Sequence, residues 1–303
     1  MAFLPVTACV ESIEQLSPNF IRIVFSGPEM RTVGSHKPVF DQRIKLIFPN
    51  PGKDLPPLPA NGDWYANWSA LPEDSRGVMR TYSIRSLNMG AHATTLTVDF
   101  VLHTAPGFTG PAATWAANAQ VGDKLLIIAP RLDAESMGGI EFDHGNAQCI
   151  VLAGDETAAP AIARILEDLA ANSDSSLTGT ALIEVPEKAD ILPIAAPAGI
   201  QVKWLPRQGR NHGELLFESL GITAKHLTAT PADGDTLVWE TPAFSATGEP
   251  VSSDSTARGE YYWIAGESGV VTTIRRSLIK DKGLDRSRVA FMGYWKRGVA
   301  MRG

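Results

Sequence analysis

Arg80-Thr81-Tyr82-Ser83 is the first of three short motifs that follow one another along this sequence. The second is Thr97-Val98-Asp99-Phe100-Val101-Leu102-His103, and the third is Gly110-Pro111-Ala112-Ala113-Thr114-Trp115. From Thr95 to His103, polar and apolar side chains alternate with a period of two residues, which is typical of a two-faced antiparallel strand. We therefore predict that the second motif lies on such a strand. The small residues of the third motif indicate the start of a helix.

The residue types in these motifs suit a flavin nucleotide. An arginine can pair with a pyrophosphate, a neighbouring tyrosine can pack on the isoalloxazine, and a hydroxyl can bond to the ring. The Gly110–Trp115 motif offers backbone N–H groups at the beginning of a helix, which is a favourable place for the same pyrophosphate. The alternative for the Arg80–Ser83 motif is an ordinary half-buried strand with an outward arginine. The ordered combination of the motifs favours the flavin.

The motifs resemble those of the siderophore-interacting protein family, a branch of the ferredoxin-reductase-like flavoproteins. Further stretches match the same family: Ala153-Gly154-Asp155-Glu156-Thr157-Ala158, Trp263-Ile264-Ala265-Gly266-Glu267 and Gly293-Tyr294-Trp295-Lys296-Arg297-Gly298. The resemblance extends from near Val6 to near Gly298. It implies a ferric-siderophore reductase that passes electrons from a nicotinamide or a ferredoxin through FAD to Fe(III)-siderophore, releasing Fe(II) in the cytoplasm.

Two other functions remain open on the sequence. One is another ferredoxin-reductase-like flavin oxidoreductase, against which the basic C-terminal segment with Lys296 favours an iron substrate. The other is a non-catalytic siderophore-binding protein, which the flavin motifs disfavour. The residues that the resemblance implies for FAD binding are Arg80, Thr81, Tyr82, Ser83, Asp99, Phe100, Val101, His103, Gly110, Pro111, Ala112, Thr114 and Trp115.

The composition limits the class of protein and its partners. A chain of 303 residues is long enough for two cores, and a net charge of −6 argues against a nucleic acid partner. No apolar run approaches the roughly 20 residues of a membrane helix, and no signal peptide is evident, so we expect no membrane partner. Cys9 and Cys149 are the only cysteines, and the six histidines show no ligand spacing. We therefore expect no protein-bound metal and a reducing, cytoplasmic location.

The pattern of elements predicts a β domain followed by an α/β domain. Residues 1–135 contain closely spaced strand-like runs separated by Pro, Gly and Asn, which predicts an antiparallel β-barrel that binds FAD. The stretch Asp133–Asn146 is the candidate linker. Residues 147–303 alternate apolar strands with helical patterns, which predicts a doubly wound parallel sheet, a nicotinamide-binding domain that ends in a basic segment. Irregular structure is predicted for Pro49–Pro72 and Pro242–Gly259.

Gly154-Asp155-Glu156-Thr157 follows a buried strand and opens a predicted helix, the location where open α/β sheets bind nucleotides. The spacing is not the usual G-x-G-x-x-G, and a capping role for Asp155 or Thr157 explains it equally well. The resemblance favours a role on the nicotinamide side. Arg207 and Arg210 follow a later strand and are candidates for the 2′-phosphate of NADPH, with a solvated surface position as the alternative. NADPH or NADH is the expected electron donor.

A basic group is implied for the anionic ferric chelate. Lys45 lies in the strand-like run Arg43–Phe48, where alternation points it away from the apolar side chains. A solvated charge is the ordinary explanation for such a lysine. The resemblance nevertheless implies that Lys45 and Lys296 bind the chelate, and that the family's architecture brings both to the cleft beside the isoalloxazine.

The third member of that basic group departs from the family pattern. The helix after Gly266-Glu267 usually carries a basic residue about where this chain has Thr272. We expect Arg275 or Arg276 to replace it. Tyr294 and Trp295, at the end of the last predicted strand, either cover the flavin or pack against the core and its rim.

Overall fold

A computed structural model of the protein describes residues 2–59, 62–102, 110–134, 138–172, 176–222, 239–241 and 259–298. These residues form two compact units, the first ending at Ile140 and the second beginning at Glu141. Each unit has its own sheet and its own hydrophobic core. His103 and residues 242–258 of the predicted Pro242–Gly259 loop lie outside the described residues.

The first unit is built on seven strands: β1 (Phe3–Ser17), β2 (Phe20–Ser26), β3 (Arg43–Phe48), β4 (Val78–Ser83), β5 (Ser86–Met89), β6 (Thr94–Val101) and β7 (Lys124–Pro130). They form one antiparallel sheet in the order β4-β3-β7-β1-β2-β6-β5. Strand β1 is the longest, and its Val6, Ala8 and Val10 alternate into the core. The sequence does not predict a strand over Phe3–Ser17, because Pro5 and small side chains weaken the strand signal there.

The two edge strands of this sheet are consecutive in the chain. Only Ile84 and Arg85 separate β4 from β5. The backbone N–H of Ile84 donates to the carbonyl of Gln42, beside β3, at 3.0 Å, and that of Arg85 donates to the carbonyl of Thr97 in β6 at 2.9 Å. One continuous segment therefore joins both edges, and the sheet curls. This confirms the antiparallel, barrel-like architecture predicted for the first half of the chain.

Two helices, α1 (Trp64–Ala70) and α2 (Pro111–Asn118), belong to the first unit. Helix α1 lies inside Pro49–Pro72, so the prediction of wholly irregular structure there is wrong. Asp63 caps α1 by accepting the N–H of Ala66 at 3.0 Å, and the buried indole of Trp68 donates to the carbonyl of Arg76 at 2.9 Å. These local contacts outweigh the helix-breaking composition of the flanking residues. A 3₁₀ turn covers Pro28–Thr32.

The second unit alternates strands and helices: β8 (Cys149–Gly154), α3 (Ala159–Ala171), β9 (Thr178–Val185), β10 (Ile200–Pro206), α4 (Glu214–Ser219), β11 (Trp239–Glu240), β12 (Glu260–Glu267), α5 (Ser268–Arg276) and β13 (Val289–Trp295). The strand order is β10-β9-β8-β12-β13-β11, and only β11 is antiparallel to its neighbour. The doubly wound prediction is confirmed, with an antiparallel edge strand added. Shorter turns cover Lys188–Asp190, Ser277–Asp281 and Arg286–Arg288.

The strand order fixes where a ligand site can form. The first strand of this unit, β8, lies in the middle of the sheet. Strands β9 and β10 lie on one side of it, and β12 and β13 lie on the other. Connections leave the sheet in opposite directions at β8 and β12, which opens a crevice at the carboxyl ends of these strands. No helix in the described part of the chain combines the length and the apolar character that a membrane crossing requires.

Part of the predicted linker is bound to the second unit. Phe142 is buried and its ring meets that of Tyr261 at 5.7 Å between centroids. The Tyr261 hydroxyl accepts the N–H of Asp143 at 3.2 Å and donates to the carbonyl of Glu141 at 3.3 Å. Residues 141–143 therefore extend the second unit before β8 begins.

Candidate functional site

Strand β4 presents Arg80 and Tyr82 on one face and Thr81 on the other. Its pairing with β3 places Leu46 opposite Arg80 and Ile44 opposite Tyr82. Because Ile44 and Leu46 are buried in the core of the first unit, Arg80 and Tyr82 lie on the core side of the sheet. Thr81 is exposed on the opposite side, the side that Ser83 shares by alternation.

Tyr82 rests on an aromatic layer that Phe100 and Trp115 build beneath it. The rings of Tyr82 and Phe100 lie 4.7 Å apart, and Phe100 lies 6.4 Å from Trp115 of α2. Phe100 is fully buried and supports the Tyr82 ring from the core side. Burial raises the pKa of Tyr82 well above its usual value, so the phenol stays neutral at physiological pH.

Helix α2 packs against β2, β4 and β6 and begins with the third motif. Gly110, at the N-cap position, has no side chain with which to cap the helix, and a Cβ there would meet no atom within 4 Å. The Thr114 hydroxyl donates to the carbonyl of Gly110 at 3.1 Å, and Pro111 is exposed while Ala112 is buried. Among the described residues, no side chain caps the first N–H groups of α2, which leaves them available to an anion, as a site at a helix N-terminus requires.

Arg80 is half-buried and has a fixed direction. Its Nη1 donates to the backbone carbonyl of Met79 at 2.7 Å. Burial lowers the pKa of Arg80, but a guanidinium remains charged at any physiological pH. A fixed cation, the Tyr82 ring and an uncapped helix within one unit form the donor set that a flavin dinucleotide needs.

Asp99 lies on the opposite face of β6 from Phe100 and is engaged by two arginines. Arg22 binds it through two bonds of 2.7 and 2.8 Å, and Arg85 lies 3.5 Å away. The Asp99 side chain is 3% exposed. Its carboxylate therefore stabilises the sheet, and a contact of Asp99 with FAD stays a prediction. Val101, at the end of β6, is half-buried.

Asp155 is buried at the carboxyl end of β8 and accepts four hydrogen bonds. They come from the N–H of Thr157 at 2.9 Å and its hydroxyl at 2.5 Å, the N–H of Glu267 at 2.7 Å and Nε1 of Trp295 at 2.8 Å. Burial and the charge of Glu156 raise the pKa of Asp155. Helix α3 begins only at Ala159, so neither Asp155 nor Thr157 caps it. Gly154 is buried directly before Asp155.

Glu156 and Arg207 form a buried ion pair. Arg207 donates to the two carboxylate oxygens of Glu156 at 2.7 and 2.9 Å and to Glu184 at 3.3 Å. Burial alone would lower the pKa of Arg207, but the bonds and charge of Glu156 outweigh it and raise the pKa. The solvated alternative for Arg207 is wrong, since only 6% of the residue is exposed. Arg210 is exposed, and it pairs with Glu214 at 3.0 Å and with Glu218.

An open cleft of about 580 Å³ lies at the carboxyl ends of β9 and β10. Several basic side chains and the backbone of the turn after β10 line this cleft. The lining residues used below are Lys188, Arg207, Gln208, Gly209 and Arg210. Gln208 and Gly209 both have positive φ, 50° and 92°, so this turn is tight and exposes its backbone.

The three residues expected to bind the chelate have different surroundings. The ammonium of Lys45 donates to the Thr81 hydroxyl at 2.7 Å, and burial together with the charge of Arg43 lowers the pKa of Lys45. Arg275 donates from Nε to the buried carboxylate of Glu240 at 2.5 Å. Lys296 is half-buried directly after β13.

Tyr294 and Trp295 both pack within the second unit. The Tyr294 ring stacks on Trp239 at 6.2 Å, and the Trp295 ring meets His212 edge-on at 5.3 Å. In the described ranges, no three His, Cys, Asp or Glu side chains come together as a metal site.

Sequence reasoning missed several buried or half-buried charged residues, among them Arg22, Glu184 and Glu240. One of them carried a signal. Glu184 stands inside the apolar run Ala181–Val185, and an acid on a buried strand requires partners. The N–H groups of Gly213 at 2.8 Å and Leu215 at 3.2 Å supply them, together with Arg207.

The fold and the site define the class of this protein. A curled antiparallel sheet with an arginine and a tyrosine on one face of a strand, followed by a doubly wound α/β unit, is the build of a two-domain flavin reductase. The family follows from sequence comparison. Residues 9–134 match the siderophore-interacting FAD-binding domain, and residues 147–298 match the siderophore-interacting protein domain. The chain belongs to the siderophore-interacting protein family.

Three known proteins illustrate the similarity. The NADPH-dependent ferric-chelate reductase of Escherichia coli is 30% identical, over 93% of this chain and 89% of that protein. The ferric vibriobactin reductase of Vibrio cholerae is 26% identical, over 93% and 86%. The crystal structure of a siderophore utilization protein from T. fusca superposes with a TM-score of 0.68 at 28% identity, covering 99% of this chain and 95% of that one.

Proposed function

We propose that the protein is a ferric-siderophore reductase that takes electrons from NADPH or NADH, passes them through FAD and delivers them to an Fe(III)-siderophore, so that Fe(II) is released. One observation supports this most directly: Arg80 and Tyr82 share one face of β4, in the unit where α2 presents an uncapped N-terminus. Two of the relatives carry the names of ferric-complex reductases.

The residues present fit FAD. A Cβ at Gly110 would meet no described atom within 4 Å. Arg80 and the first N–H groups of α2 would hold the charge of a pyrophosphate, and Thr114 would add a hydroxyl. Tyr82, supported by Phe100, would pack against the isoalloxazine, with Thr81 and Ser83 beside it. When bound, FAD supplies the change from a two-electron donor to a one-electron acceptor.

The substrate needs no acid or base from the protein. Ferric iron is held by hard oxygen ligands, and reduction weakens that hold because the charge of the ion falls. The protein's task is to orient an anionic chelate with cations. We assign this task to Lys45, Lys296 and Arg275, whose Nε bond to Glu240 fixes the direction of its guanidinium. Each exposed contact contributes up to about 1 kcal/mol.

The donor site is proposed at the carboxyl ends of the parallel strands in the second unit. Nucleotides bind there in open α/β sheets, and the cleft beside β9 and β10 offers Lys188 and Arg210 to the 2′-phosphate of NADPH. Arg207 lines the same cleft, but its guanidinium is bound to Glu156. We therefore propose that Arg207 stabilises the wall of the cleft and does not bind the nucleotide. A ferredoxin is the other donor to test. Two isolated cysteines suit a reducing cytoplasm.

Anaerobic half-reactions test the proposal. The FAD-loaded protein is mixed with NADPH, NADH or reduced ferredoxin, and the loss of oxidised flavin absorbance is followed. The reduced protein is then mixed with a panel of ferric tris-catecholate and tris-hydroxamate complexes, with Fe(II) trapped by a chromogenic chelator. We expect reduction by a nicotinamide and re-oxidation by ferric complexes. A reduced protein that reacts with a quinone or oxidised ferredoxin, but with no ferric complex, would identify another flavin oxidoreductase. A protein that binds chelates without binding FAD would be a non-catalytic binder.

A further inference from the structure

Lys296 is held between two carboxylates through its chain neighbours. On its N-terminal side, the indole Nε1 of Trp295 donates to Oδ2 of Asp155 at 2.8 Å. On its C-terminal side, the backbone N–H of Arg297 donates to Oε1 of Glu267 at 3.2 Å. The segment around Lys296 is thus attached on both sides to the carboxyl ends of β8 and β12.

The residues that carry these two carboxylates are also bonded to each other. The backbone N–H of Glu267 donates to the same Oδ2 of Asp155 at 2.7 Å, and Oε2 of Glu267 accepts the N–H of Val270 as the cap of α5. Gly266 makes this close approach feasible, because a Cβ there would come within 2.6 Å of Oδ2 of Asp155. Its φ of 139° also favours glycine.

The Trp295 indole is held from two directions. Asp155 binds its N–H, and the His212 ring packs edge-on against it at 5.3 Å. Asp155 is 4% exposed and accepts the N–H of Thr157 as well, so its carboxylate has one orientation. An indole bonded to a buried, fourfold-bound carboxylate is a rigid support for the residue that follows it.

We propose that Asp155 and Glu267 are positioning residues for Lys296, and that they serve the binding of the anionic iron chelate by holding Lys296 in place. This inference rests on the proposed function, because it needs Lys296 to bind the chelate. It assigns the acid of the Gly154–Thr157 motif to the substrate side of the reaction, where the sequence favours the nicotinamide side. A buried carboxylate bonded to four donors has no lone pair to spare for a nicotinamide.

A double-mutant cycle between Trp295 and Lys296 tests the inference. Trp295→Phe keeps an aromatic ring and removes the N–H that Asp155 binds. Affinity for a ferric tris-catecholate complex is measured on the oxidised, FAD-loaded protein by quenching of flavin fluorescence, at low and at high salt. Trp204→Phe, on the edge strand β10, is the matched control for the loss of an indole.

We expect Trp295→Phe and Lys296→Ala each to lower the affinity for the chelate about fivefold. The double variant should bind the chelate no more weakly than Lys296→Ala alone. Both single variants should flatten the salt dependence of the affinity by the same amount. The rate of flavin reduction by NADPH should remain that of the unsubstituted protein, as should both readouts for Trp204→Phe.

Four results would overturn the inference. A further loss on adding Trp295→Phe to Lys296→Ala would show that the indole acts by another route. Slower flavin reduction with normal chelate binding in Trp295→Phe would place the acids on the nicotinamide side. Normal chelate binding in both single variants would remove Lys296 from the substrate site and defeat the basic group of the proposed function as well. Normal binding in Trp295→Phe alone would defeat only the positioning role.

Discussion

The guanidinium of Arg207 binds the carboxylate of Glu156 through two hydrogen bonds, 2.7 and 2.9 Å long, although the two residues lie 51 positions apart in the chain. Their side chains are only 7% and 1% exposed. Glu184, fully buried, accepts a third bond from the same cation. One cation therefore serves two carboxylates in a dry part of the second unit, at the strand ends where the nicotinamide site is proposed.

Removing that cation should destabilise the protein. We expect Arg207→Met to lower the free energy of unfolding by about 3–5 kcal/mol, because it leaves buried carboxylates without a partner while keeping much of the side-chain volume. Urea unfolding followed by tryptophan fluorescence measures the loss. Arg210→Met is the matched control, since the partners of Arg210 reach water, and its effect should be much smaller. Equal losses in the two variants would contradict a special role for the buried pair.

Much of the fold was predictable from local patterns. Alternation along Thr95–His103 and the apolar runs of the second half are set by nearest neighbours, so the antiparallel and doubly wound sheets could be predicted. Strand β1 could not be predicted, because its small side chains and Pro5 give only a weak local strand signal. Its stability comes from pairing with β2 and β7, which the local sequence does not show. Helix α1 depends on the Asp63 cap and on burial of Trp68, which a Pro-rich context hides.

The site was predictable in part. Arg80, Tyr82 and the third motif are identified by residue type and order. The hydrogen-bond partners of the charged residues could not be identified, because they lie far away in the chain. Asp99 accepts from Arg22, Glu240 accepts from Arg275, and Asp155 accepts from Trp295. The identity of an acidic residue in a family motif does not reveal whether its carboxylate binds a ligand or a neighbouring side chain. Only burial and hydrogen-bond geometry separate the two roles.

Loss of the pyrophosphate contacts should release FAD. We expect the double variant Arg80→Ala with Thr114→Ala to purify with little or no FAD, because each charge-assisted hydrogen bond is worth about 1.5–3 kcal/mol. The ratio of FAD to protein after desalting gives the occupancy. Asn118→Ala, one turn later on the exposed side of α2, is the control and should retain the cofactor. Full occupancy in the double variant would remove both residues from the FAD site.

Lys188 should contribute to the choice of donor. It is exposed at the rim of the cleft beside β9 and β10, where a 2′-phosphate would add negative charge. We expect Lys188→Ala to raise the KM for NADPH about twofold to fivefold and to leave that for NADH unchanged. Steady-state reduction of a ferric chelate with each donor measures both constants. Lys203→Ala, an exposed lysine of β10 that is not in the cleft lining, is the control. A rise in both constants would indicate a general loss of charge attraction.

The pH dependence of chelate binding should depend on Lys45. Burial, and then the charge of Arg43, lowers the pKa of Lys45 below its usual value of 10.5, so its ammonium loses a proton at lower pH than an exposed lysine does. A neutral amine attracts no anion, and affinity for a ferric tris-catecholate should therefore fall in an alkaline range that begins at a lower pH than for an exposed lysine.

Arginine at this position separates Lys45 from other groups that titrate in that range. Lys45→Arg should keep its affinity as the pH rises, because a guanidinium remains charged there. Lys124→Arg, an exposed position of β7, should show the same decline as the unsubstituted protein. The dissociation constants come from quenching of flavin fluorescence at each pH in a fixed salt concentration. Parallel curves for Lys45→Arg and the unsubstituted protein would show that the charge of Lys45 does not act on the chelate, because the loss of affinity would then persist with a permanent cation in its place.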